Sequence, residues 1–400
     1  MHNSFENKRD IPRQTSEGFL KSTNPRNRAW IEVHTKSIEL NTFHIKQNLS
    51  RNCLLMAVVK ADGYGHGAIT VAKAALQGGA NNLGVATLEE GIELRKAKLM
   101  CPILVLGNLI NEAELEACLD WDLMPTISNF SEALICQNIA LKRDTIFNIH
   151  IKVDTGMTRL GCNYSDAKEL IQTINSYNNI NLQGIYSHLA LADNLLSLKT
   201  TSVTITQQEK FNSIMNSIPN TNQICFHLAN SAGAIRDQSL HYNMVRIGLG
   251  IYGYNPIREN ESGIKKLKLN PALSVKARIT LVRNVDKGIG VSYDHKYVTK
   301  RPSRLAVVSI GYADGISRSL SGKICVLCKG HHIPQVGAIT MDQLVIDITD
   351  FLDVQVGNEV TLLGTDGKNL ISPQQWGDIN GSIPWEVLCG FKNRLPRVEV

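Results

Sequence analysis

Residues 54–67 read LLMAVVKADGYGHG. The six apolar residues from Leu54 to Val59 have the length of one buried strand, and they end on a lysine. Behind Lys60, glycines at 63, 65 and 67 allow tight backbone geometry beside a ligand. An amine that directly follows a buried strand is partly desolvated, and such an amine suits Schiff-base chemistry.

Working outward, seven more short apolar runs recur at 83–86, 103–106, 124–127, 146–153, 184–187, 224–228 and 244–248. Segments of helical period lie between them, at 66–79, 88–99, 111–119, 129–141, 164–178 and 206–216. The one at 88–99, LEEGIELRKAKL, is acidic at its start and basic at its end, as the helix dipole favours. Eight alternating units predict a (β/α)8 TIM-type barrel, an α/β fold whose reactive groups gather at the C-terminal strand ends. After Pro271 the pattern changes to close-set β segments such as SVKARITLV, RLAVVSIGY and QLVIDI. The predicted organisation is a disordered tail over 1–28, a barrel over 29–268 and a C-terminal all-β domain over 269–400.

The chain has 400 residues, 43% hydrophobic and 20% charged, with a formal net charge of +6. Half of that charge lies in the polar, unpatterned first 28 residues, so the remainder is too mildly basic to point to nucleic acid. No apolar run approaches the ~20 residues of a membrane span, and a secretory signal is not evident, so a cytoplasmic protein is expected. Nine scattered cysteines imply reduced thiols and no disulfide framework. Cys325 and Cys328 form a C-x-x-C pair, but with no second pair to complete a zinc site a metal is not expected.

Other strand ends also carry candidate chemistry. The seventh run leads into HLANSAGAI and the eighth into VRIGLGIYG, where Ser231 and the amides of Gly248 and Leu249 suit a phosphate. An Asn-Ser helix cap and a glycine-rich turn would look the same. Arg246 and His188 also fall at strand ends, and Arg159 lies in IKVDTGMTRLG. Surface ion pairs and a structural histidine would look the same, but two cations converging on one barrel mouth suit an anionic ligand.

The string AVVKADGYGHG resembles the cofactor-lysine signature of alanine racemases. VDTGMTRLG, HLANSAG, VRIGLGIYG, VSYDHKY, GYADG and GAITMDQ extend the resemblance over roughly residues 29–400. It implies pyridoxal 5'-phosphate joined to Lys60, with Tyr64, Ser231, Gly248 and Leu249 at the phosphate and Arg246 at the ring nitrogen. An isomerase interconverting L-alanine and D-alanine for peptidoglycan follows, with Lys60 taking the Cα proton of D-alanine and Tyr293 that of L-alanine.

A tyrosine phenol ordinarily titrates near ~10 and needs help to act as a base. The resemblance assigns that help to His188, linked onward to Arg246. It further implies a homodimer with shared active sites, Tyr293 reaching the other subunit. Arg159 and Met341 would bind the substrate carboxylate, Tyr312 would line the entry, and Lys152 matches a lysine that is carbamylated in several members. Trp385 stands where many members carry a tyrosine that reaches the phosphate, and Asp294 and Thr340 also differ from common choices. Two alternatives stay open at this point: a broader racemase that also accepts serine, and a non-catalytic pyridoxal-phosphate carrier.

Overall fold

The computed structural model describes residues 24–192, 198–219, 223–257, 267–391 and 393–400. Most of the segment expected to be a disordered tail lies outside the described residues. Its last five residues are described, and Arg28 is anchored there.

All eight apolar runs form strands: β2 (Leu54–Val58), β3 (Asn82–Val85), β4 (Ile103–Val105), β5 (Thr126–Ile127), β6 (Phe147–Asp154), β7 (Ile180–Tyr186), β8 (Cys225–His227) and β9 (Met244–Ile247). They pair in parallel in two arcs, β9-β2-β3-β4 and β5-β6-β7-β8. A parallel bridge between Leu104 and Met124 joins one end of the arcs. At the other end the Asn243 and Arg246 N–H groups donate to the Phe226 and Ala229 carbonyls at 3.0 Å each, closing the barrel.

The barrel helices include α1 (Thr35–Gln47), which the periodicity reading does not include, α2 (Ala68–Gln77), α3 (Leu88–Lys96), α4 (Glu112–Asp120), α5 (Phe130–Lys142), α6 (Ala167–Asn175), α7 (Leu198–Asn216) and α8 (Ser231–Arg236). Three of them start on an Asn or Thr cap with glutamate three residues on: Thr87 with Glu90, Asn111 with Glu114, and Asn129 with Glu132. The cap side chain satisfies a helix N–H that has no intrahelical partner. Among the described residues, no helix is long and apolar enough to cross a membrane.

One boundary differs from the sequence expectation. Strand β1 (Ala29–Val33) pairs antiparallel with β10 (Leu273–Val285) and parallel with β17 (Arg397–Glu399), so residues 29–33 belong to the C-terminal sheet and not to the barrel. The other strands of that sheet are β11 (Ser303–Val308), β12 (Cys325–Cys328), β13 (His331–Val336), β14 (Leu344–Asp347), β15 (Glu359–Asp366) and β16 (Asn369–Ile371). Strand β10 also pairs with β15, so the sheet folds back on itself. The β-rich unit also carries two short helices, α9 (Pro373–Asn380) and α10 (Pro384–Cys389).

Arg28 ties the N-terminal approach to this domain. Its guanidinium donates to both carboxylate oxygens of Asp314, at 2.7 and 2.9 Å, and the Asp314 side chain is wholly inaccessible. Burial alone would push that carboxyl up. The Arg28 and Gly311 hydrogen bonds and the charges of Arg28 and Arg394 outweigh it and hold the group below the ordinary carboxylate value.

Arg28→Met leaves this buried carboxylate with less compensation and is expected to cost about 2–3 kcal/mol in stability at neutral pH. Because the folded pKa is depressed, the contribution is present above the unfolded value near ~4 and is lost as pH falls through the folded value. Denaturant unfolding of both proteins should therefore show a constant gap from pH 8 to 5 that narrows in stronger acid. A gap that widens in acid contradicts this.

Candidate active site

Strand alternation selects which side chains enter the barrel. Along β6, Phe147, Ile149, Ile151 and Val153 join the large core cluster, which leaves His150 and Lys152 on the opposite face, both buried. Tyr186 from β7 and Met244 from β9 belong to the second cluster, inside the barrel with Met56, Leu104 and Met124. Gly184 makes room for His150, since a Cβ there would stand 2.5 Å from the imidazole Cε1.

Arg246, in β9, is almost fully buried and organises the mouth. Its guanidinium donates to the carbonyls of His227 (2.9 Å), Ser187 (2.6 Å) and Leu228 (3.1 Å), to His227 Nδ1 (3.0 Å) and to His188 Nδ1 (3.2 Å). A guanidinium can only donate, so both imidazoles accept at Nδ1 and carry their proton at Nε2. His227 then donates through Nε2 to His150 Nδ1 at 3.0 Å. Burial, followed by the charge of Arg246, holds His150 down to about 3 and His227 well below the ordinary value. Tyr186 stacks on His227 with ring centroids 4.7 Å apart, and Arg246 lies 5.0 Å from the Tyr186 ring centroid. Burial lowers Arg246 to about 10, so it stays cationic at neutral pH.

His188 follows β7. Burial first, then the charges of Arg246, Lys152, Arg159 and Lys60, push it well below its usual value. Lys152 falls to about 8, through burial and then the charges of Arg246, Arg159 and Lys60, opposed by Asp154. Four sequence-predicted cations thus act on one small region. Arg159 reaches it from an exposed loop that Asp154 shapes, one carboxylate oxygen accepting the N–H groups of Gly156, Met157 and Thr158 at 2.9, 2.9 and 3.1 Å.

Lys60 opens an unusual turn. Ala61, Asp62, Gly63 and Tyr64 have φ of 53°, 51°, 58° and 51°, a left-handed helical turn in which each non-glycine residue costs about 1–2 kcal/mol. The predicted helix at 66–79 accordingly begins only at Ala68. The turn carries the Tyr64 ring onto Tyr252, stacked at 4.7 Å, and its hydroxyl against Gly248, where a Cβ would stand 2.6 Å from Oη. The Gly248 N–H donates to Ser231 Oγ at 3.0 Å. Tyr64, Ser231 and Gly248 therefore meet in one cradle, with Leu249 next in the chain. Helix α10 lies against this turn: Leu388 O is 2.5 Å from where a Cβ on Gly65 would stand. Trp385, from α10, is half-buried against the core.

The remaining predicted residues form a second group on the β-rich domain. Tyr293 (67% exposed), Tyr312 (41%) and Met341 (53%) face solvent. The Tyr312 and Ala313 N–H groups donate to the Thr340 and Met341 carbonyls, at 2.9 and 3.0 Å. Tyr293 and Thr340 line a hollow of about 670 Å³ with Ser292, Asp294 and His295. Among the described residues, no hydrogen bond, ion pair or ring contact joins the Tyr293, Tyr312 or Met341 side chain to the barrel group.

Sequence reasoning did not single out His150, His227 or Tyr186. Alternation along the strands was the available signal, because His150 shares the phase of Lys152.

The donors fit an anionic, phosphate-bearing ligand with a carbonyl: the Tyr64 and Ser231 hydroxyls meet in a cradle that a Cβ on Gly248 would fill, and the charges of Lys60, Lys152, Arg159 and Arg246 act on one region. Comparison with known proteins agrees. The alanine racemase N-terminal domain matches residues 33–256 and the alanine racemase C-terminal domain residues 272–399. An alanine racemase of Prochlorococcus marinus is 58% identical over 382 residues, 95% of this chain and 98% of that protein. The crystal structure of alanine racemase from E. faecalis superposes with a TM-score of 0.86 at 32% identity, covering 94% of this chain and 98% of the other. That of alanine racemase from Bartonella henselae with covalently bound pyridoxal phosphate gives 0.82 at 30% identity, covering 93% and 99%.

Proposed function

The chain belongs to the alanine racemase family, and we infer that it is a pyridoxal-phosphate-dependent isomerase interconverting L-alanine and D-alanine. The observation that carries this reading is the convergence of Lys60, Lys152, His188 and Arg246 beside the cradle of Tyr64, Ser231 and Gly248. Lys60 holds the cofactor covalently, while Tyr64, Ser231, Gly248 and Leu249 hold its phosphate. Pyridoxal phosphate, when bound, supplies an electron-withdrawing ring that acidifies the substrate Cα–H.

The proton itself moves between this chain's residues and the substrate. Lys60 takes it from one face of Cα and Tyr293 from the other, so neither base needs to change sides. Arg246 commits the N–H groups of its two terminal nitrogens to carbonyls and imidazoles, which leaves Nε–H as the donor it offers a ring nitrogen. His188, fixed with its proton at Nε2, presents a donor to the Tyr293 phenolate. Arg159 and the Met341 backbone bind the alanine carboxylate, and Tyr312 lines the entry.

Tyr293 is exposed and makes no described bond to the barrel group of its own chain, which supports a homodimer in which each subunit lends Tyr293 to the other. Nine unpaired thiols support a cytoplasmic enzyme, supplying D-alanine for peptidoglycan.

Borohydride reduction of the holoenzyme followed by peptide mapping tests the assignment. A pyridoxyl group is expected on the peptide containing Lys60, and its appearance on Lys152 alone would overturn the reading.

A further inference from the structure

Three consecutive strand–helix units open their helices alike, and the third residue of each helix returns a carboxylate oxygen to a backbone N–H just before the cap. Glu90 accepts from Ala86 at 2.7 Å, Glu114 from Ile110 at 2.7 Å, and Glu132 from Ser128 at 2.6 Å. What differs is the other oxygen. In Glu114 it accepts no hydrogen bond from a described residue, and in Glu132 it takes the Asn108 side-chain amide at 3.3 Å. In Glu90 it takes the Ala61 N–H at 2.6 Å, the peptide N–H immediately after Lys60.

That peptide opens the left-handed turn from Ala61 to Tyr64, a conformation that L-residues do not favour and that surrounding contacts must hold. Two other side chains hold its far end: His66 Nδ1 donates to the Tyr64 carbonyl at 2.9 Å, and Arg397 Nε to the Gly65 carbonyl at 3.1 Å. Glu90 alone among these clamps the end that carries Lys60, and its two oxygens bind the loops after β2 and β3 together.

We propose that Glu90 is a positioning residue for Lys60. Its carboxylate fixes the Lys60–Ala61 peptide against the end of β3, and so sets the direction in which the lysine amine points. The proposal rests on the reading of Lys60 as the cofactor lysine. Capping of α3 is a separate role that Glu114 performs for α4 without any link to Lys60, so Glu114→Gln measures the effect of capping alone.

The test compares Glu90→Gln, Glu90→Asp and Glu114→Gln holoenzymes. The glutamine keeps the length of Glu90 but offers an amide N–H to one of two N–H groups, and the aspartate is one methylene too short to bridge both loops. All three are expected to lower Tm modestly. Only the Glu90 variants should weaken the visible circular dichroism of bound pyridoxal phosphate and release it about tenfold faster on dialysis, with kcat lowered about tenfold and KM for alanine within about twofold of wild type. A Glu90 variant that folds with wild-type dichroism and cofactor release, or a Glu114→Gln variant that changes them equally, overturns the proposal. Should Glu90→Gln not fold, Glu90→Asp is read by the same criteria. Borohydride mapping of the wild type separates the two failures: an unlabelled Lys60 peptide removes the premise, whereas a labelled one with unchanged Glu90 variants removes only the positioning role.

Discussion

Lys60→Ala is expected to lower alanine racemisation by roughly 10⁴-fold or more in both directions, because under the proposed function one substitution removes both the covalent tether and one of the two bases. The two losses are separable. Tyr64, Ser231 and Gly248 remain to hold a phosphate, so the variant should still take up pyridoxal phosphate reversibly, with a spectrum of the free aldehyde. Borohydride should then leave no pyridoxyl group on any peptide of the variant. A coupled assay of D-alanine formation, with added methylamine to restore a small part of the rate, is the measurement. Activity within tenfold of wild type would mean that another lysine carries the cofactor. Lys152 is the candidate, since it lies among the same cations.

The barrel is legible in the sequence because its strands are short apolar runs at regular spacing, and all eight runs are strands. Strand β1 shows where that reading stops. AWIEV has the composition of a barrel strand, and only its pairing with β10 and β17 assigns it to the other sheet. Pairing between distant segments leaves no mark on local composition.

The turn after Lys60 is half legible. Its three glycines announce tight geometry and aspartate tolerates the left-handed region, but Ala61 and Tyr64 are left-handed beside Asp62, which no propensity suggests. Their conformation is set by Glu90, His66 and Arg397, which lie outside the turn. The imidazole pair behind Arg246 was hidden for a different reason. Histidine inside an apolar run reads as an interruption, and only the barrel interior explains why two of them, at 150 and 227, are buried and face each other.

Tyr293→Phe tests the second base, and its expected result depends on what a racemase can and cannot reveal. L-alanine and D-alanine are mirror images of equal free energy, so any substitution must lower kcat/KM equally in the two directions, and overall racemisation cannot tell the bases apart. Solvent exchange can. With Lys60 intact, D-alanine in deuterated water should still acquire deuterium at Cα with retained configuration, the proton leaving and returning on the same face. L-alanine, whose proton points toward the phenol, should lose exchange by roughly 10³-fold, together with racemisation. His188 and Arg246 keep their hydrogen bond in the variant, so the loss reports the phenol and not a collapse of the network behind it. Mixing inactive Lys60→Ala and Tyr293→Phe chains adds a further consequence. If each subunit lends Tyr293 to the other, half the sites of a mixed dimer pair an intact Lys60 with an intact Tyr293, and activity should return. Both sites stay defective if each chain uses its own tyrosine, and the mixture should then stay inactive.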